Sequence, residues 1–143
     1  MKIYIDVDTL NAKFWDTALT YDEGEKSIPE DQILTENGPT QEVDESKPWV
    51  RWSISPGASK RVTQGNTKLF KNLGTAHFEV FIPKGTGTAT GEEIRDAMIA
   101  AMADWRSEDK ALRIYKHDAT KGQGTKECHQ LNAVFYYESK REA

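Results

Sequence analysis

The residues most suggestive of chemistry in this 143-residue chain are Gly85-Thr-Gly87-Thr-Ala-Thr-Gly91, a glycine-rich run between a strand-like and a helix-like segment. Phosphate-cradling loops occupy that position, where backbone N–H groups and a helix N-terminus face an anion. The spacing GxGxxxG fits neither the dinucleotide fingerprint nor the GxxxxGK(S/T) loop. Glu92 and Glu93 follow where a cation is needed, and both repel phosphate. The run reads better as a flexible connection, or as a loop that meets a neighbouring subunit. His77, His117, His129 and Cys128 are the soft metal ligands, but no CxxC or HxxxH spacing joins them. Cys128 and His129 are adjacent on a strand-like segment, so their side chains diverge. Ordinary half-buried strand residues are the reading, with no metal and no cofactor expected. The carboxylates lie mostly in one acidic segment, and none pairs with another in an apolar setting suited to acid–base work. Ser53, Ser55, Ser59 and Ser107 lack a nucleophile elbow. The residues give catalysis no positive support, and an enzyme is not expected.

Trp49, Trp52, Arg51 and Arg61 suggest something different, because Trp and Arg are enriched at protein–protein hot spots. In Trp49-Val-Arg-Trp-Ser-Ile-Ser55, Val50, Trp52 and Ile54 point one way, while Trp49, Arg51 and Ser53 point the other. If the first set faces the helices, Trp49 and Arg51 lie on the far side of the sheet. They then form either a contact surface or a second, smaller apolar cluster closed by a loop. A two-layer domain leaves one sheet face open, which favours the contact.

The elements that position these residues centre on Ala76 to Trp105. His77 to Ile82 alternates, with Phe78, Val80 and Ile82 on one face and His77, Glu79 and Phe81 on the other. Pro83 closes the strand. Ile94, Ala97, Met98, Ala101, Met102 and Trp105 then follow helical spacing, with Thr90 as N-cap and Glu93 in capping-box position. Upstream, Ile3, Ile5 and Val7 alternate, which predicts a short strand or extended arm. Asp8 reads as the N-cap of a helix to about Tyr21, burying Leu10, Phe14, Ala18 and Tyr21, with Trp15 at its margin. Glu25 to Lys47, broken by Pro29, Gly38 and Pro39, reads as a long surface loop. On that reading, deleting Glu30 to Glu45 leaves folding intact. Pro56-Gly57 marks a turn or bulge, and Lys60 to Gln64 continues the strand. Gly65 to Gly74 reads as a connection, and Leu112 to Lys116 and Leu131 to Tyr137 as further strands, with a flexible tip over Lys121 to Gly124. The order predicts an α+β domain, a mostly antiparallel sheet of about five strands with two helices packed on one face.

Composition suits a single domain over 1–143, with 37% hydrophobic and 29% charged residues and a mean hydropathy of -0.71. No apolar run approaches the roughly 20 residues of a membrane span, and an N-terminus without an apolar h-region argues against secretion. One cysteine cannot form an intramolecular disulfide. The net charge is -4, unevenly spread: from Asp22 to Lys47 nine Asp/Glu stand against two Lys. The absence of a concentrated basic stripe argues against duplex binding as the main role.

The succession Pro48-Trp-Val-Arg51, Pro56-Gly57, Arg61, Gly74, HFEVFIP ending at Pro83, and Gly85-Thr-Gly87 before a helix resembles tail-terminator proteins of long-tailed bacteriophages. The likeness runs from about Pro48 to Trp105, with weaker agreement in the first helix and last strands. The acidic insert at about 22–47 departs from the shorter connection of that family. The resemblance implies a virion protein forming a ring, commonly a hexamer, on the head-proximal end of the tail tube. Its partners would be other copies of itself, the tail tube protein and a head-completion protein. DNA would pass through the lumen without specific binding, and neither enzymatic activity nor a cofactor is implied. The acidic segment is expected to face the lumen or the connector, since like charge repels phosphate. The expected interface residues are Trp49, Arg51, Arg61, Gly85 and Gly87. Two alternatives remain: another head–tail joining or neck protein, and a small nucleotide-binding enzyme using Gly85 to Gly91.

Overall fold

The computed structural model describes residues 3–36, 42–64, 67–85 and 87–142. It opens with a helix, α1 (Ile3–Asp16), over the segment where alternation predicts a strand. Val7, Leu10 and Phe14 recur at helical spacing, and Leu10 and Phe14 are fully buried. Asp6 makes that stripe hard to see, because it is a carboxylate on the buried side of the helix. Asp8 therefore lies inside the helix rather than capping it. The helix ends at Asp16, Leu19 is buried in place of Ala18, and Tyr21 belongs to a strand.

That strand, β1 (Thr20–Tyr21), pairs antiparallel with β2 (Lys26–Ser27). Their turn places Asp22 and Glu23 at φ 57 and Gly24 at φ 87. The backbone N–H groups of Asp22 and Glu23 donate to the Glu93 carboxylate at 3.1 and 2.9 Å. Glu93 thus binds this turn rather than closing a capping box, and the helix N-cap is Thr88, not Thr90.

The acidic segment is not a plain surface loop. It contains β2, a 3-10 turn (Glu30–Gln32) and β3 (Ile33–Thr35). Ile28 and Ile33 enter the main core. Gln32 is buried; its Nε2 donates to the Asp44 carbonyl at 2.9 Å and its Oε1 accepts from the Asp44 N–H at 2.7 Å. Gly38 and Pro39 lie outside the described residues.

Beyond it run β4 (Trp49–Gln64), β5 (Thr67–Pro83), α2 (Ala89–Met102), β6 (Leu112–Lys121) and β7 (Cys128–Glu142). The sheet order is β3-β4-β5-β7-β6, antiparallel except for the parallel β3–β4 pair. The domain is α+β, with two helices and a mostly antiparallel five-stranded sheet. Residues 67–74, read from sequence as a connection, are strand, while residues 65–66 lie outside the described residues. The β4–β5 register shifts between Pro56 and Ser59. Gly57 fits this bulge because a Cβ there would come 2.7 Å from the Leu73 carbonyl oxygen.

Three cross-strand rows build the core: Val50–Val80–Leu131, Trp52–Phe78–Ala133 and Ile54–Ala76–Phe135. Phe14 of α1 stacks on Trp52 at 4.7 Å between centroids, and the Trp52 Nε1–H donates to Asn11 Oδ1 at 2.9 Å. Ile94, Met98 and Met102 of α2 are fully buried, each contributing about 1.5–3 kcal/mol. At Gly91 a Cβ would lie 2.7 Å from Ile82 Cγ1 and Leu131 Cδ1, so the missing side chain is what lets α2 approach the strands.

Two outcomes are expected in urea unfolding. Gly91→Leu lowers the unfolding free energy by about 1–3 kcal/mol through overpacking. Deleting Glu30 to Glu45 removes Ile33 and the Gln32–Asp44 bonds and costs several-fold more cooperativity than a surface-loop deletion, seen as a broadened or absent transition.

Candidate functional site

The period of two that buries Trp52 turns Trp49 and Arg51 to the opposite face of the sheet. Trp49 lies flat on Phe81 at 3.9 Å between centroids. It is only 6% exposed, enclosed with Cys128 by Leu34 and Val43. Trp49 is therefore the second apolar cluster closed by a loop, not an exposed anchor. The covering residues come from the acidic segment, two of whose four aliphatic positions serve this cluster while Ile28 and Ile33 serve the main core.

Arg51 stays outside, with a side chain 48% exposed. Its Nη2 lies 2.6 Å from Glu79 Oε2 and its Nε 3.2 Å from Oε1. The guanidinium sits 5.5 Å from the Phe81 ring centroid, and Gln130 Nε2 donates to the same Glu79 oxygen at 2.8 Å. A half-exposed pair of this kind contributes under about 1 kcal/mol to folding. Its consequence is orientation: a bidentate fork holds the remaining N–H donors toward solvent in one direction.

Further along the same face Glu138 is bridged by Arg113 at 2.6 Å and Lys71 at 3.2 Å. Burial pushes the Glu138 carboxyl up, but the hydrogen bonds and charges of Arg113 and Lys71 outweigh it and hold it below the ordinary carboxylate value. Arg106, Lys110, Arg113 and Lys140, with Glu138 and Ser139, line a cleft of about 300 Å³ at the β6 side.

Arg61 is exposed on the distal half of β4, opposite Phe70. Ten positions along one strand separate it from Arg51, about 30 Å at the usual rise, so the two arginines form no joint site. Gly85 (φ 92) and Gly87 (φ 77) lie at the other end with open space around them, and Thr86 lies outside the described residues. The glycine run is thus divided in role: Gly85 and Gly87 are exposed with positive φ, and Gly91 packs α2 on the sheet. Glu92 stands in the first turn of that helix.

Sequence reading missed a buried polar network. The Asp6 carboxylate accepts from Arg141 Nε at 2.7 Å, from Ser139 Oγ, and from Asn72 Nδ2 at 3.5 Å. Arg141 also reaches Asp109 at 3.2 Å. The signal was available in β7: Leu131, Ala133, Phe135 and Tyr137 alternate inward, and Ser139 and Arg141 continue that parity as polar residues needing a buried partner. Removing one member of such a pair leaves the other charge uncompensated.

Among the described residues no group of three or more His, Cys, Asp or Glu is placed to hold a metal ion. No described helix is long and apolar enough to cross a membrane. No family model matches the chain, and no curated protein matches it. A solved structure is similar at a TM-score of 0.62 and 16% identity, over 92% of this chain and 94% of the other, a likeness of fold alone.

The network has a measurable consequence at alkaline pH. Burial, and then the Asp6 charge, push the Tyr137 phenol up to about 12, against about 10 for an unfolded tyrosine. The stability gained from the neutral phenol is complete below pH about 10 and is lost as pH rises through 12, because only the unfolded chain ionises in that window. The unfolding free energy should fall between those values, and Tyr137→Phe should make the fall shallower; an unchanged slope would contradict this.

Proposed function

We propose that this protein is a ring-forming structural component of a long-tailed phage virion. It caps the head-proximal end of the tail tube, stops tube polymerisation and provides the surface for head attachment. The reading starts from the resemblance over Pro48 to Trp105. The observation that carries it is the pair of unlike open edges on the sheet. β3 covers β4 only over Val50 to Trp52, leaving β4 without a strand partner on that side from Ser55 onward among the described residues. At the opposite edge, Arg106 bridges Arg113 at the start of β6, and Tyr115 to Lys121 have no second strand partner among the described residues. Unlike edges make heterologous contacts, which generate rings when the rotation closes.

In this arrangement α1 and α2 cover one face of the sheet, and the face bearing Arg51 is left for a partner. Arg61 lies on the open length of β4, while Gly85 and Gly87 lie at the opposite end of the hairpin. One side of the ring matches the last ring of the tail tube protein. The other lacks a tube-like surface, so growth stops there and the head-completion protein docks. DNA passes through the lumen without specific binding. The assembly is a homo-oligomer, a hexamer by family analogy, in the host cytoplasm during assembly and then in the virion.

Arg51→Glu sets two carboxylates against each other on an exposed face and turns the fork's charge around. The monomer should stay folded by circular dichroism, while ring formation or tube docking weakens by about tenfold or more. Unchanged sedimentation and unchanged docking would count against the assignment of this face.

A further inference from the structure

The two outer edges of the sheet carry opposite charge. β3, the outermost strand on one side, belongs to the segment Asp22 to Lys47, with nine Asp/Glu against two Lys. Asp31, in the turn leading into β3, and Glu42, in the stretch that Gln32 holds through Asp44, are exposed and make no ion pair among the described residues. At the other side, next to β6, the cleft lined by Arg106, Lys110, Arg113 and Lys140 holds one carboxylate, Glu138, which Arg113 and Lys71 already neutralise. Arg106, Lys110 and Lys140 are exposed and make no ion pair among the described residues, so the cleft keeps a surplus of positive charge.

We infer that the acidic β3 edge of one copy docks against the basic cleft at the β6 edge of the next, forming a head-to-tail charge clasp. This rests on the ring reading above and names the surfaces that would close it. The two edges lie at opposite ends of the strand order, with β4, β5 and β7 between them, so they cannot meet within one copy. A second copy supplies charge of the complementary sign. A polyanion such as a nucleic acid would meet a chain of net charge -4 and a cleft too short for a phosphate track. The acidic segment is thereby assigned to subunit contact rather than to the lumen. Single exposed pairs contribute little, but several together steer association and set register. Because exposed charges are screened beyond about 8 Å at 0.15 M salt, the contact must weaken as salt rises.

The test is sedimentation equilibrium of four full-length proteins, alone and mixed with tail tubes. They are the wild type, Arg106→Glu with Lys110→Glu, Asp31→Lys with Glu42→Lys, and all four changes together. All four positions are exposed, and circular dichroism checks that each protein is folded. Each pair of reversals should weaken assembly by about tenfold or more at 0.15 M salt, and the combined protein should recover most of it. Wild-type assembly should also weaken at about 0.5 M salt. Rings indifferent to both reversals, with no recovery in the combination, overturn the clasp and leave the ring reading standing. A wild type that stays monomeric at every concentration and on tube ends overturns both.

Discussion

The constraint on which the structure depends is the period of two shared by β4, β5 and β7. Their register sets Val50, Trp52 and Ile54 in line with Val80, Phe78 and Ala76, and with Leu131, Ala133 and Phe135. A slip of one residue in any of these strands would turn its apolar set to the other face. Much of the rest is arranged against this surface. Phe14 closes over Trp52, Gly91 admits α2 to Ile82 and Leu131, and the Asp6–Arg141 pair ties the N-terminal helix to the last strand. The same alternation sends Arg51 outward and gives it Glu79 as a cross-strand neighbour.

What could be read from the sequence follows the strength of these patterns. The strand at His77 to Ile82, the helical stripe of Ile94, Met98 and Met102, and the strand at Trp49 to Ser55 are each dictated by unbroken periodicity, and each forms. The start of the first helix was hidden because Ile3, Ile5 and Val7 also satisfy a period of two, while Asp6 obscures the helical one; its remainder, with Leu10 and Phe14 buried, was legible. Only long-range pairing with Arg141 and Ser139 resolves that ambiguity. The acidic segment misleads for a related reason. Its composition is that of a solvated loop, yet Ile28 and Ile33 reach the core and Leu34 and Val43 roof Trp49. Four aliphatic residues spread over such a stretch give no periodic signal, although each is well buried or packed. The fate of Trp49 was open for the same reason, since a covering loop has no local signature.

The proposed function rests on surfaces rather than on a reactive centre. Arg51, Arg61, Gly85 and Gly87 are distributed along the length of the β4–β5 hairpin instead of converging on a pocket. Such spacing suits extended contact with other subunits, where orientation and register matter more than any one bond. The placement of acidic and basic groups on opposite sheet edges has the same character, because neither edge can satisfy itself within one chain. On the proposed reading, such a protein completes its surface only in an assembly.

The most direct test of that account is the mass of the purified protein with and without tail tubes, with the tube ends imaged by negative stain. The account predicts a ring, or a monomer that becomes a ring at one tube end, and tubes that no longer elongate once capped. A protein that stays monomeric, leaves both tube ends bare and permits elongation would contradict it.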